Sequence, residues 1–252
     1  MKKAMLMLVG GVLLLTTPSC KKGENDPFLS LKSRKARLAG GYVVSKMESI
    51  EKINGENYET VTTITFDGET VFEKIDNSGG QSPESYTYPV TSAEWVFKKD
   101  GTWEMAWIYV KTVIVEDDYY KTTTVTNYNQ TQSGTWSFLG KLKKQYKNKE
   151  RVQLSILKED IIKSDDVTSL DKISNTTTSS KTQDNNNATY ANGENVLIYD
   201  IDMLKNKEMV FKLSNEQNFT SHYDDGFSTP YDYIENTLLE KTITLKQIKK
   251  VK

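Results

Sequence analysis

An all-β fold, closed as a barrel or stacked as a sandwich, is what this 252-residue sequence predicts. Three observations carry the prediction. Short runs of β-branched and aromatic residues recur from Tyr42 to the C-terminal end, several with period-two alternation: Val152, Leu154 and Ile156 share one face, as do Leu239, Ile243 and Leu245. The runs are punctuated by turn signals at Asp67-Gly68, Gly79-Gly80 and Asp100-Gly101. Helical periodicity is almost absent, a short segment near Ser30 to Arg37 excepted.

The first strands fall at Tyr42 to Met47, Tyr58 to Phe66 and Thr70 to Ile75, and Asp76 to Thr91, with Pro83 and Pro89, reads as a loop. Trp95 to Val115 is the organising hairpin, because Asp100-Gly101 offers positive φ without steric cost between two apolar runs. Three of the four tryptophans, Trp95, Trp103 and Trp107, lie in it, and side chains of that size contribute most when buried. The second run is apolar on both faces near Ile108 to Val110, so a loop or a partner is expected over its outer side. Further strands follow at Tyr119 to Tyr128, Gln132 to Leu139, Arg151 to Leu157, Val196 to Ile201, Met209 to Leu213 and Leu238 to Ile248. Between them, residues 163 to 195 are Ser, Thr, Asn, Asp or Gln at 22 of 33 positions, with little to bury, and predict a disordered loop between strands.

The N-terminus predicts export. Lys2-Lys3 precede an uncharged apolar run from Ala4 to Leu15, too short for the roughly 20 residues of a membrane span, and Ser19 leads into Cys20. Residues 1–19 therefore read as a lipoprotein signal peptide and Cys20, the only cysteine, as the lipidation site. One acyl chain binds a membrane only marginally, so a multiply acylated cysteine makes a stable anchor. Residues 20–39 are then the lipidated cysteine and a basic tether, and 40–252 a single globular domain. Six basic residues against two acidic ones in 21 to 39 set that tether apart from the domain, which holds a net charge of -7 within a chain total of -1. A mildly acidic domain argues against a nucleic-acid partner.

Catalytic and metal-binding patterns are sparse. His222 is the only histidine, and Ser221 beside it points to the opposite side of an extended segment, so a hydrolase using His222 with Asp224 or Asp225 is the weaker reading. The acidic pairs Asp117-Asp118, Asp165-Asp166 and Asp224-Asp225 lack the alternating spacing of a calcium loop, and the first reads as a hairpin turn. No cofactor, metal site or catalytic residue is expected. The aromatic content suggests instead a lumen lined by Trp95, Trp103, Met105, Trp107 and Trp136, filled by side chains or open to one small apolar or amphipathic ligand.

The order of signals resembles the lipocalin-like lipoproteins of Bacteroidetes: Cys20, KKGENDPFLSLKSRKARLAGGY at 21 to 42, DGTW at 100 to 103, GTWSF at 134 to 138 and IYDIDMLKNKEMVFKL at 198 to 213. The resemblance implies an antiparallel up-and-down β-barrel of about eight strands attached to the outer membrane, on its periplasmic face or at the cell surface. It implies no chemistry, and it sets Gly40-Gly41-Tyr42 where lipocalins close one barrel end with a Gly-x-Trp. The expected role is that of a non-enzymatic ligand-binding lipoprotein; the alternative is a module that binds protein or glycan in a surface or periplasmic complex.

Overall fold

The computed structural model describes residues 33–248 except 56–57, 79–81, 143–144, 147–149, 206 and 224–230. The signal peptide, Cys20 and the first part of the tether lie outside the described residues, as do Asp224 and Asp225 and the side chains of Ser221 and His222.

The chain opens on a short helix, α1 (Arg34–Leu38), whose N-terminus is capped by the Ser33 hydroxyl accepting from Ala36 N at 3.1 Å. Leu38 is fully buried, and the Arg37 guanidinium donates to the Leu204 carbonyl. This stretch, expected as part of a solvated tether, is instead a plug on one end of the domain. Its apolar Leu38 and two long cationic stems have wall residues to pack on, and the Arg34 and Lys35 cations lie 6.0 Å and 5.8 Å from the Phe138 and Trp136 rings.

Eleven antiparallel strands follow: β1 (Gly40–Asn54), β2 (Glu59–Phe66), β3 (Thr70–Asn77), β4 (Glu84–Phe97), β5 (Thr102–Glu116), β6 (Tyr120–Phe138), β7 (Arg151–Asp171), β8 (Thr176–Thr189), β9 (Asn195–Leu204), β10 (Glu208–Tyr223) and β11 (Tyr231–Gln247). Ten of them close a ring in the order β1-β2-β3-β4-β5-β6-β7-β9-β10-β11, with β11 returning to β1 and β8 added to the outer part of β7. The all-β barrel expected from the sequence is present, and its strand number is close to the expected eight. The number changes along the axis. At the α1 end Gly40 to Val43 pair directly with Phe97 to Glu94, so that β1 neighbours β4 and eight strands surround the core. Further along β1, Met47 to Asn54 pair with Phe66 to Glu59, and the β2–β3 hairpin is wedged in to widen the wall. The tip of that hairpin is Gly68, at φ 107° and with room for a Cβ only 3.2 Å from the Ser45 carbonyl, which explains the Asp67-Gly68 signal.

Three expectations are corrected. Residues 163 to 195 are not a disordered loop: β7 continues to Asp171 and pairs with β8 from Lys158–Thr189 to Asp171–Thr176. Polar composition misled because threonine is a good strand former, and β6 offers β7 an unbroken ladder up to Tyr120–Asp171. Glu84 to Thr91 are strand and not loop. Pro89 is tolerated because there β4 is paired only to β3, the last rung with β5 being Val90–Tyr109. Tyr119 to Tyr128 and Gln132 to Leu139 belong to one 19-residue strand, β6, in which Gly134 marks a bulge and not a turn.

The narrow end is filled by side chains from the inward-facing positions. Tyr42, Phe97, Trp103, Leu154, Leu204, Met209, Phe211 and Leu245 are at most 1% exposed. Phe97 is the hub, with Tyr42, Trp95, Trp136 and Phe211 rings between 5.9 and 6.3 Å away. Two indoles at this end also satisfy their polar handles: Trp136 Nε1 donates to the Lys98 carbonyl at 3.0 Å and Trp103 Nε1 to that of Ser155 at 3.4 Å. Tyr42, where an aromatic plug was expected, is fully buried and donates its hydroxyl to the Arg37 carbonyl at 2.6 Å, tying β1 to α1.

Candidate functional site

Beyond this packed plug the barrel is hollow. A cavity of about 280 Å³ opens between the walls, lined by Val44 and Met47 of β1, Ile64 of β2, Glu73 of β3, Tyr88 and Trp95 of β4, and Met105, Trp107 and Tyr109 of β5. Tyr128 and Gln130 of β6 and Lys241 and Ile243 of β11 complete it. The volume lies at the lower edge of the 300–1,000 Å³ range of small-molecule sites. The lumen is hollow here because the β2–β3 wedge widens the ring while the inward side chains do not grow to match. A larger hollow, about 810 Å³, lies on the outer wall around the β2–β3 tip, lined by outward residues such as Glu48, Thr244 and Lys246. Phe66 and Phe72 are its aromatic lining, and it has no counterpart of the lumen's tyrosine ladder.

Of the five residues expected to face a ligand, Trp95, Met105 and Trp107 line the cavity. Trp103 and Trp136 belong to the plug beneath it, where they are 1% and 6% exposed. All five occupy inward positions of their strands, and only depth along the axis separates the two groups. Trp95 bridges them, with Trp103 at 5.8 Å and Tyr199 at 6.0 Å. Trp107 is held edge-on by Phe66 at 5.2 Å. On the outer side of β5, Ile108 and Val110 are half-buried between neighbouring strands.

One wall carries polar chemistry that the sequence did not announce. Tyr88, Tyr109 and Tyr128 form a ladder across β4, β5 and β6, with successive ring centroids 4.8 Å apart. Burial pushes the Tyr109 hydroxyl up to about 12, with a further contribution from Tyr128, and burial raises Tyr88 and Tyr128 as well. Above the ladder, Lys111 pairs with Glu73 at 2.7 Å, both side chains being less than a fifth exposed, and lies 3.7 Å from the centre of the Tyr86 ring. Glu159 accepts from the amides of Gln130 at 2.7 Å and Gln132 at 2.5 Å, and Asp165 is held by Thr126 at 2.5 Å and Lys163 at 2.9 Å. The Thr126 hydrogen bond, then that of Lys163, lowers the Asp165 pKa.

Lys241 differs from the other cations described in the lumen. It stands between Leu239 and Ile243 on the inward face of β11, opposite buried Ser49 of β1 and Leu213 of β10. Its ammonium has no ion-pair or hydrogen-bond partner among the described residues, and burial alone lowers its pKa. No sequence rule singles it out; it is one of 33 basic residues, and only the register of β11 turns it inward.

The acidic pairs resolve into structural roles. Asp117 accepts from the backbone N–H groups of Tyr119 and Tyr120 at 2.7 and 2.6 Å, closing the β5–β6 turn as the sequence suggested, and these bonds, Tyr120 first, lower its pKa. Asp165 serves the lumen wall, and Asp166 pairs outward with Lys181 at 3.2 Å. Among the described residues no three His, Cys, Asp or Glu side chains gather to hold a metal ion. The Asp224 and Asp225 readings lie outside the described residues, and only the backbone of His222, opposite Asp232, is described.

Fold and site together define a closed β-barrel with an interior, aromatic-walled cavity. Comparison with protein-family models, with curated proteins and with solved structures finds no match to this chain.

Proposed function

We propose that this chain is a non-enzymatic, lipocalin-like lipoprotein, anchored to the outer membrane through Cys20, whose barrel binds one small apolar or amphipathic ligand in its lumen. The observation that carries the reading is the cavity of about 280 Å³ above a fully packed plug, with Trp95, Met105 and Trp107 at its base. An apolar pocket with a few polar groups is the usual form of a small-molecule site. The basic segment, the short apolar run and Cys20 support the anchor. Organic extraction of the chain purified from its native envelope tests the binding claim. A small amphiphile should be recovered from the natural protein and lost from Met105→Trp, which fills the cavity. Equal recovery from both, or none from either, overturns it. Labelling with an alkyne fatty acid should mark the natural chain and not Cys20→Ala.

A second reading, a module that binds protein or glycan, is favoured by one observation. The far ends of the β5–β6 and β7–β8 hairpins expose Ile114, Val115, Tyr119, Tyr120 and Ile173 at 52–76%. In-cell cross-linking from Ile173 should capture a partner that Ile114→Asp releases; cross-linking that yields monomer alone counts against it.

A further inference from the structure

Two of the three cations described on the lumen wall have a carboxylate beside them: Lys111 pairs with Glu73 at 2.7 Å and Lys163 with Asp165 at 2.9 Å, while Glu159 accepts from two glutamine amides. Lys241 is the third, and it presents its ammonium to the cavity with no acceptor among the described residues. Glu51, the inward acid two residues beyond Ser49 on β1, makes no ion pair with it. A cation held in an apolar cavity is unfavourable unless an anion or hydrogen-bond acceptor meets it. The flanking inward residues on β11, Leu239 and Ile243, are aliphatic and supply neither.

Resting on the reading of the lumen as a ligand site, we propose that Lys241, with the hydroxyl of Ser49 opposite it, is the head-group site for a monoanionic amphiphile of the carboxylate class. The acyl tail lies against Met47, Ile64, Met105 and Trp107. Bound carboxylate supplies the missing counter-charge, and the charge-assisted hydrogen bond from Nζ is of the strong kind. The same neutralisation favours the protonated amine, reversing the effect of burial on Lys241. Size limits the tail: at about 30 Å³ for each water-sized unit, the cavity of about 280 Å³ takes roughly nine such units, an acid of about eight carbons at most. Tails much longer than this must project through the open end.

The test titrates the full chain, carried in lipid nanodiscs, with octanoate and with 1-octanol, reading quenching of tryptophan emission and subtracting empty nanodiscs. Octanoate should bind saturably and about tenfold or more tighter than octanol, the ratio expected for one charge-assisted contact. Lys241→Met should erase the difference by weakening octanoate alone, and Lys241→Arg should keep most of it. Octanol binding as tightly as octanoate, or a preference that survives Lys241→Met, overturns the head-group assignment and leaves the lumen reading standing. If neither compound binds, both fall. The acid-against-alcohol comparison in the natural chain decides the matter even where a Lys241 variant fails to fold.

Discussion

Gly134 sits against the β7 backbone at the β6–β7 bulge, and replacing it tests the account of how the ring closes. A Cβ built on Gly134 would sit 1.8 Å from the Ser155 carbonyl oxygen and 2.9 Å from its carbon, whereas ordinary contact begins near 3.4 Å. The obstacle is backbone, so no rotamer change relieves it. The Gly134–Ile156 pair must separate by more than 1 Å, at the bulge between the Ser133–Lys158 and Gly134–Ile156 rungs. Overpacking a well-packed interior costs about 1–3 kcal/mol and more when the neighbour cannot move, against about 0.4–1 kcal/mol gained from stiffening the unfolded chain. The clash wins, and Gly134→Ala should lose about 3 kcal/mol, which for a domain of this size lowers Tm by about 6–12 °C. Gly140→Ala, with nothing within 4 Å, is the control. Thermal unfolding followed by circular dichroism compares the two. A Gly134→Ala Tm equal to that of Gly140→Ala would refute the register of the β6–β7 closure.

Lys241→Met should raise Tm at neutral pH, because the natural side chain holds a cation whose pKa burial depresses. The cost is present while the group is protonated and fades as pH rises toward the unfolded value near 10.4, so the advantage of the variant should shrink there; an advantage that grows with pH would contradict this. Tyr42 and Tyr109 are each pushed up to about 12 by burial, so they stay neutral where an unfolded tyrosine ionises near 10. The stability they contribute is full below pH 10 and is lost as pH climbs through 12, seen as tyrosinate absorbance rising with unfolding. Lys111→Met and Glu73→Gln should each cost about 1–3 kcal/mol by orphaning a half-buried partner, and the double variant less than their sum; strict additivity in denaturant titrations would show the pair to be uncoupled. Trp103→Ala, which opens a hole in the plug, should cost about 3–5 kcal/mol, a loss that urea midpoints would register.

Much of this fold is written locally in the chain. The two Asp-Gly turns, the alternation of Val152, Leu154 and Ile156, and the inward tryptophans follow from rules that need only near neighbours, and each is present. The cavity-facing group was half legible: Trp95, Met105 and Trp107 line the hollow, while Trp103 and Trp136 look the same in sequence and fill the plug. The β7–β8 hairpin was not legible, because its stability comes from the ladder β6 provides and not from apolar content of its own.

By itself, then, the sequence determined the β architecture, the turns and which aromatic residues are kept from water, since these depend on residue type and on the two-residue period of a strand. Only the tertiary structure decided that ten strands enclose a hollow at one end while eight enclose a solid core at the other. It also decided that Lys241 faces that hollow without a partner among the described residues. Both are consequences of register between strands far apart in the chain, Gly40 with Phe97 and Ser49 with Lys241. A shift of one residue in either pairing would turn the same side chains to the opposite face.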